Sequence, residues 1–285
     1  MKRILMMCII ACATMTTTAQ TDSTAKSPQG DTIHVGGMVI IRKPGDYKDG
    51  DIDNSPKVHN RKTYKSSPVS TNWGIIDIGA ANYEDQTNYS SSGAQAYAPG
   101  SNESWFNLRN GKSVNVNIWF FMQRLRLIKN SVNLKYGFGL ELNNYRYKQN
   151  VRYNGNPAPI PDPPIVILDN TVGRAYEKTK LAADYLTIPM MLNFNFTPNR
   201  NDPFGLSLGA SVGWLYNSRN KTVTSDEGKH KTKDDFDLRE FKISYIAELN
   251  LGEIKFYGSL ATESMYKRGL DITPYTVGIR ISSFD

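Results

Sequence analysis

Between Ser131 and Asn143 the chain alternates without a break. Val132, Leu134, Tyr136, Phe138, Leu140 and Leu142 fall on one side of an extended backbone, and Asn133, Lys135, Gly137, Gly139, Glu141 and Asn143 on the other. Period-two alternation over this length predicts a β-strand with one apolar and one polar face. The pattern recurs at Trp73–Tyr83, Ser113–Met122, Leu186–Phe196, Leu206–Tyr216, Phe241–Leu251, Ile254–Leu260 and Tyr275–Ile281. Pro189 interrupts one of these runs. It has no N–H to give to a ladder, so a bulge is expected there.

The connections between the eight segments decide what the apolar faces meet. After the first, third, fifth and seventh segments they are long: Glu84–Lys112, Tyr147–Asp184, Asn217–Asp237 and Glu263–Asp271. After the second, fourth and sixth they are short: Gln123–Asn130, Thr197–Pro203 and Gly252–Glu253. A soluble sandwich does not require such alternation. A transmembrane barrel has it, with an even number of strands of about ten residues, short periplasmic turns and long outer loops. The predicted fold class is therefore all-β, an eight-stranded antiparallel up-and-down transmembrane β-barrel. Closure also removes the sheet edges that lipid could not solvate. Tyr83, Tyr145, Tyr147, Tyr185, Tyr216, Tyr245 and Tyr275 lie near segment ends, where a belt of rings at the membrane interface is expected.

Ahead of the barrel the chain reads differently. Met1-Lys-Arg, a short apolar run from Ile4 to Ala13 and Thr16-Thr-Thr-Ala-Gln20 have the form of a secretory signal peptide with cleavage after Ala19. The rival reading is a lipoprotein signal ending at Cys12, for which the apolar run is short. Cys8 and Cys12 are the only cysteines, so disulfides and thiolate metal sites are not expected in the exported chain. Asp31–Ile41 reads as a hairpin turning at Gly36-Gly37, and Lys43–Ser67 as a flexible linker. The expected organisation is a leader over residues 1–19, a periplasmic hairpin and linker over 20–70, and the barrel over 71–285.

Charge and candidate chemistry narrow the function classes. The formal net charge of +7, reduced by Lys2 and Arg3 when the leader is removed, suits anionic lipid headgroups or surface polysaccharide. No basic cluster interleaved with aromatics supports nucleic-acid binding. The three histidines, His34, His59 and His230, are not at metal-ligand spacing, and none stands in a barrel strand beside a serine as an acyl-transfer nucleophile would need. No catalytic, cofactor or metal site is expected, and the chain is not expected to be an enzyme. The acidic groups Asp226-Glu227 and Asp234, Asp235 and Asp237 are expected to be solvated.

The polar face of the strands carries Asp77, Lys135, Glu141, Lys242, Glu248, Lys255 and Arg280. An eight-stranded barrel is nearly filled by its own side chains, so these residues are expected to form a polar network that plugs the lumen. A narrow solute pore is the alternative. The apolar run Ile165–Leu168, after a proline-rich stretch, is expected to extend the barrel wall above the membrane.

Four stretches carry a family resemblance: Asn110–Asn117, Gly137–Arg146, Tyr185–Leu192 and Pro274–Ile279. With the Asp31–Ile41 hairpin and Trp73-Gly-Ile-Ile-Asp-Ile-Gly79, the chain resembles the small PorT-like outer-membrane β-barrel proteins of Bacteroidota over nearly its whole mature length. The resemblance implies the outer membrane as destination, reached by signal-directed export, and the barrel-insertion machinery as a partner during biogenesis. It also implies an alternative role as a secretion or assembly component, although no motif here carries that role. Expected partners are outer-membrane lipid and lipopolysaccharide, with a periplasmic protein for the hairpin. One departure is the carboxyl end, where Phe284 is followed by Asp285 instead of standing last.

Overall fold

The computed structural model describes residues 31–35, 38–42, 68–129, 131–155, 164–197, 204–252 and 254–281. The expected leader, the expected linker at Lys43–Ser67 and Phe284 lie outside the described residues. The chain divides into two compact units, Met1–Thr63 and Tyr64–Asp285. In the first, strands β1 (Asp31–Val35) and β2 (Met38–Arg42) pair antiparallel, with Asp31 opposite Arg42 and Val35 opposite Met38. That register leaves a two-residue connection at the predicted Gly36-Gly37.

The second unit is built on strands β3 (Val69–Asp85), β4 (Val114–Ile128), β5 (Val132–Arg146), β6 (Val151–Tyr153), β7 (Val166–Leu168), β8 (Tyr176–Asn195), β9 (Phe204–Thr224), β10 (Gly228–Lys233), β11 (Phe241–Leu251), β12 (Ile254–Ala261) and β13 (Ile272–Ile281). Eight of them, β3, β4, β5, β8, β9, β11, β12 and β13, pair antiparallel in that order, and β13 pairs with β3 to close the ring. The predicted barrel is therefore present with the predicted strand order. The strand β10 is an extra hairpin arm on the far end of β9, and β6 and β7 form a separate two-stranded sheet.

Alternation sets the facing of every wall strand. Ile188, Met190, Leu208, Val212, Ile243 and Val277 are exposed on the outer surface, while Asp77, Asn115, Asn193, Ser207, Ser244 and Thr276 are buried inside. Gly137 and Gly139 on the inner face of β5 have a steric purpose. A Cβ on Gly139 would come within 2.8 Å of Trp119 Cε3, so the glycine makes room for that ring in the lumen.

Several expectations need correcting. Pro189 causes no bulge: β5 and β8 keep one register from Tyr136↔Met190 to Gly139↔Thr187, and only the intervening pairs drop out. The missing N–H is absorbed as a local gap in the ladder. Register shifts occur instead between Trp119 and Phe121 and between Arg126 and Ile128 in β4–β5, and between Tyr176 and Lys178 and between Asp184 and Tyr185 in β8–β9. The wall is also taller than the apolar segments suggest, because Tyr176–Asp184 and Asn217–Thr224 belong to β8 and β9, not to loops. Ile165–Leu168 does not extend the wall. Val166–Leu168 pairs with Val151–Tyr153, and Val166 is buried. The tyrosine belt is mostly interior too: Tyr145, Tyr147 and Tyr185 are buried and Tyr83 packs against them, leaving Tyr216, Tyr245 and Tyr275 on the outside.

The facing gives a direct test. Leu208, exposed in the middle of the apolar band of β9, should cost about 2–4 kcal/mol as Leu208→Arg when the band meets lipid. Urea titration of the folded barrel, read by heat-modifiable migration, should give that loss. Unchanged stability would mean the outer face does not meet lipid.

Candidate functional site

The lumen holds a continuous set of polar contacts. Arg280 on β13 donates through Nε to Asp77 Oδ1 at 2.6 Å and through Nη2 to Asp77 Oδ2 at 2.9 Å. Its third nitrogen, Nη1, meets Glu248 on β11, whose other oxygen accepts from Lys135 on β5. Asp77 also accepts from Trp119 Nε1 at 2.7 Å and Asn117 Nδ2 at 3.3 Å. Asn115 Nδ2 donates to Asn117 Oδ1 at 3.0 Å and to Asn143 Oδ1 at 2.8 Å, and Asn143 donates to Glu141 at 3.0 Å. Glu141 is the ion-pair partner of Lys242, whose Nζ lies 4.8 Å from the centre of the Tyr185 ring. Six of the seven predicted lumen residues are thus joined into one network, with Asp77, Glu141 and Glu248 matched by Lys135, Lys242 and Arg280. The seventh, Lys255, faces the same side, half-buried and opposite Arg280 in the β12–β13 ladder.

Stacked below this network, toward the short turns, is an apolar cluster of Ile75, Trp119, Met122 and Met191. Beyond it Asn133 donates to Asn193 at 3.1 Å and Asn193 to Ser207 at 3.0 Å. The space left among Asp77, Asn117, Trp119, Glu141 and Arg280 is a cavity of about 30 Å³. A larger recess of about 330 Å³ lies nearer the loops, lined by Tyr185, Arg239, Lys242, Ile243, Thr262 and Met265 among others.

The long-loop end carries a second feature that sequence patterning missed. A buried cluster joins residues from all four long connections: Tyr97 and Phe106, Tyr153 and Val166, Phe236 and Leu238, Tyr266 and Leu270. It rests on Tyr145, Leu181 and Tyr185, which point inward from the tops of β5 and β8. The hydroxyls of Tyr147 and Tyr153 are 2.7 Å apart, as are those of Tyr153 and Tyr266, and Tyr97 Oη donates to Phe236 O at 2.7 Å. Burial pushes Tyr97, Tyr153 and Tyr266 well above the ordinary phenol range, so they remain protonated donors. A short helix, α1 (Ser92–Tyr97), brings Tyr97 into place; Ser91 caps it by accepting from the Ala94 N–H at 3.2 Å. Gly269 has φ +82°, and a Cβ there would sit 2.8 Å from Tyr97 Cγ, so only glycine fits this approach.

Several of the loop carboxylates have partners. Arg174 holds Asp226 at 2.8 Å and Glu227 at 2.7 Å, and Arg268 holds Asp237 at 2.6 Å. Asp226 and Glu227 are solvent-exposed, as expected, and are also engaged by Arg174. His230 lies opposite Thr222 in the β9–β10 ladder, His34 lies in β1, and His59 lies outside the described residues.

Residues 78–271 match the outer membrane protein β-barrel domain family, a stretch covering more than half of the chain. The chain belongs to that family. Comparison with curated proteins gives no match. As an outer-membrane barrel, it has lipid against its exposed apolar band, and the buried ion pairs lie inside the wall.

Desolvated ion pairs make removal of one partner costly. Arg280→Leu leaves Asp77 and Glu248 facing each other without their shared cation, so the outer-membrane barrel should lose about 3–5 kcal/mol. Glu263→Gln, which removes the exposed pair with Arg239 at 3.2 Å, should change stability by about 1 kcal/mol or less. Parallel urea titrations check both. Equal effects would show that the lumen pairs are solvated like surface ones.

Proposed function

We propose that this protein is a sealed outer-membrane barrel with a structural or surface-interaction role, acting through its long-loop face and not by passing solutes. The observation that carries this reading is the neutral network across the lumen, in which three carboxylates are tied to three cations around a space of about 30 Å³. Moving an ion through it would require breaking desolvated pairs, each costly to open. The aromatic cap over the loop end adds a second layer. It also gives the long loops a fixed shape, as a binding face requires.

In this reading the chain reaches the outer membrane by signal-directed export, its long loops face outward, and the β1–β2 hairpin stands in the periplasm. Its partners are lipopolysaccharide and other outer-membrane lipid, the barrel-insertion machinery during biogenesis, and a periplasmic protein that pairs with the hairpin. The short motifs at Gly137–Arg146 and Tyr185–Leu192 favour the PorT-like branch of outer-membrane barrels. Among the described residues no constellation of nucleophile and base supports an enzymatic reading. The runner-up is a narrow pore or a secretion component. The recess of about 330 Å³ that includes Lys242 in its lining favours the pore version.

Single-channel recording on the purified full chain in planar bilayers separates the two. The sealed barrel should give no steady conductance. A stable, large open level in the unmutated protein would overturn the proposal.

A further inference from the structure

The lumen network and the loop cap account for many of the charged groups, but one set of cations serves neither. Beyond the apolar band Arg146 lies opposite Lys180 in the β5–β8 ladder, Lys180 opposite Lys221 in β8–β9, and Lys221 opposite Lys231 in β9–β10. Four cations therefore form one rung across four neighbouring strands. The next rung toward the band sets Arg219 opposite Lys233. Alternate residues of the same strands, Tyr145, Leu181, Asn220 and Thr222, are buried inside, so the cations occupy the outer face.

Like charges directly opposite one another weaken a sheet, and the protein does little to offset them. Among the described residues the carboxylate in ion-pair range of these two rungs is Asp184, which holds Arg219. Lys180 donates to the neutral Asn144 side chain, and Arg146 Nη2 to Glu177 O at 3.0 Å. Protection of a free sheet edge would explain lysines on β10. It does not explain Arg146, Lys180 and Lys221, which lie inside the sheet.

The height of the rung indicates what neutralises it. Leu142 is the last apolar outward residue of β5, and Arg146 lies four positions on. That is about 13 Å along the strand and about 10 Å along the membrane normal at a barrel tilt near 40°. Long cationic side chains at this level reach back toward the boundary of the hydrocarbon, where lipid phosphates lie.

We propose that the rung Arg146–Lys180–Lys221–Lys231 binds phosphate groups of outer-leaflet lipid, which fastens this side of the wall in the headgroup layer. The inference rests on the outward orientation of the long loops.

The test uses the full chain in zwitterionic micelles and two probes, phosphorylated lipid A and the same lipid with its phosphates removed. The phosphorylated form should bind more tightly, and the triple change Lys180→Gln, Lys221→Gln and Lys231→Gln should weaken it by about tenfold or more. The three corresponding Lys→Arg changes should keep the affinity. Without lipid, the Gln variant should melt no lower than the wild type, because its self-repulsion is relieved; a folded variant makes the binding result interpretable. Equal affinity for both lipids, full affinity in the Gln variant, or displacement by millimolar inorganic phosphate would overturn the proposal. Orientation is tested separately with Val172→Cys, exposed on the long-loop side. If it does not label from outside intact cells, the topology is wrong, whatever the micelles report.

Discussion

Closing eight strands into a ring is the constraint on which the rest of the structure depends. Once β13 pairs with β3, every second residue of the wall points into the barrel, whose interior at eight strands is nearly filled by side chains. Each inward polar group must then find its partner inside the protein or carry the cost of desolvation. The sequence meets this demand by matching groups across the lumen. Asp77 alone engages Arg280, Trp119 and Asn117, and Glu248 lies between Lys135 and Arg280. Placing glycine at 139 is part of the same solution, because it frees the volume that Trp119 fills.

Much of this was legible in the chain, and the reason is period two. Alternation predicted which face of each of the eight wall strands is apolar, and Asp77, Glu141, Lys242, Glu248 and Arg280 are buried on the opposite face. It could not predict their partners, because those pairs cross the lumen: Lys242 and Glu141 lie on β11 and β5, strands that are not neighbours in the ring. Strand ends were lost where apolar contrast fades. The upper parts of β8 and β9 carry Lys178, Lys180, Arg219 and Lys221 outside and Thr179, Asn220 and Thr222 inside, so both faces read as polar and resemble a loop. The tyrosines were misread for a different cause. Tyr145 and Tyr147 are in phase with Glu141 and Asn143, not with Leu140 and Leu142, and parity alone would have sent them inward. The cap was invisible because it gathers single residues from four separate connections, with no local period to reveal them.

The cap and the lumen network divide the work by depth. Near the membrane interior, where loss of water makes each unpaired charge expensive, polar residues are neutralised in pairs. Above it, where loops leave the wall, Tyr97, Phe106, Tyr153 and Tyr266 build an apolar core of their own and use their hydroxyls to bond one another and the backbone. The two layers meet at Tyr185, which belongs to the cap cluster and carries Lys242 over its ring. A face made of long loops thereby gains the support of the barrel beneath it, which suits a binding surface better than a gate.

Thiol chemistry at the middle of the barrel tests most directly the proposed closure of the lumen to solution from both ends. Ser211 points inward from β9 and lines the cavity of about 30 Å³, and both natural cysteines, Cys8 and Cys12, lie close to the amino terminus. Ser211→Cys in the reconstituted barrel should stay unmodified by a small charged thiol reagent added to either side, while Val172→Cys, on the exposed loop face, reacts. Labelling of Ser211→Cys at a rate close to that of Val172→Cys would contradict the account.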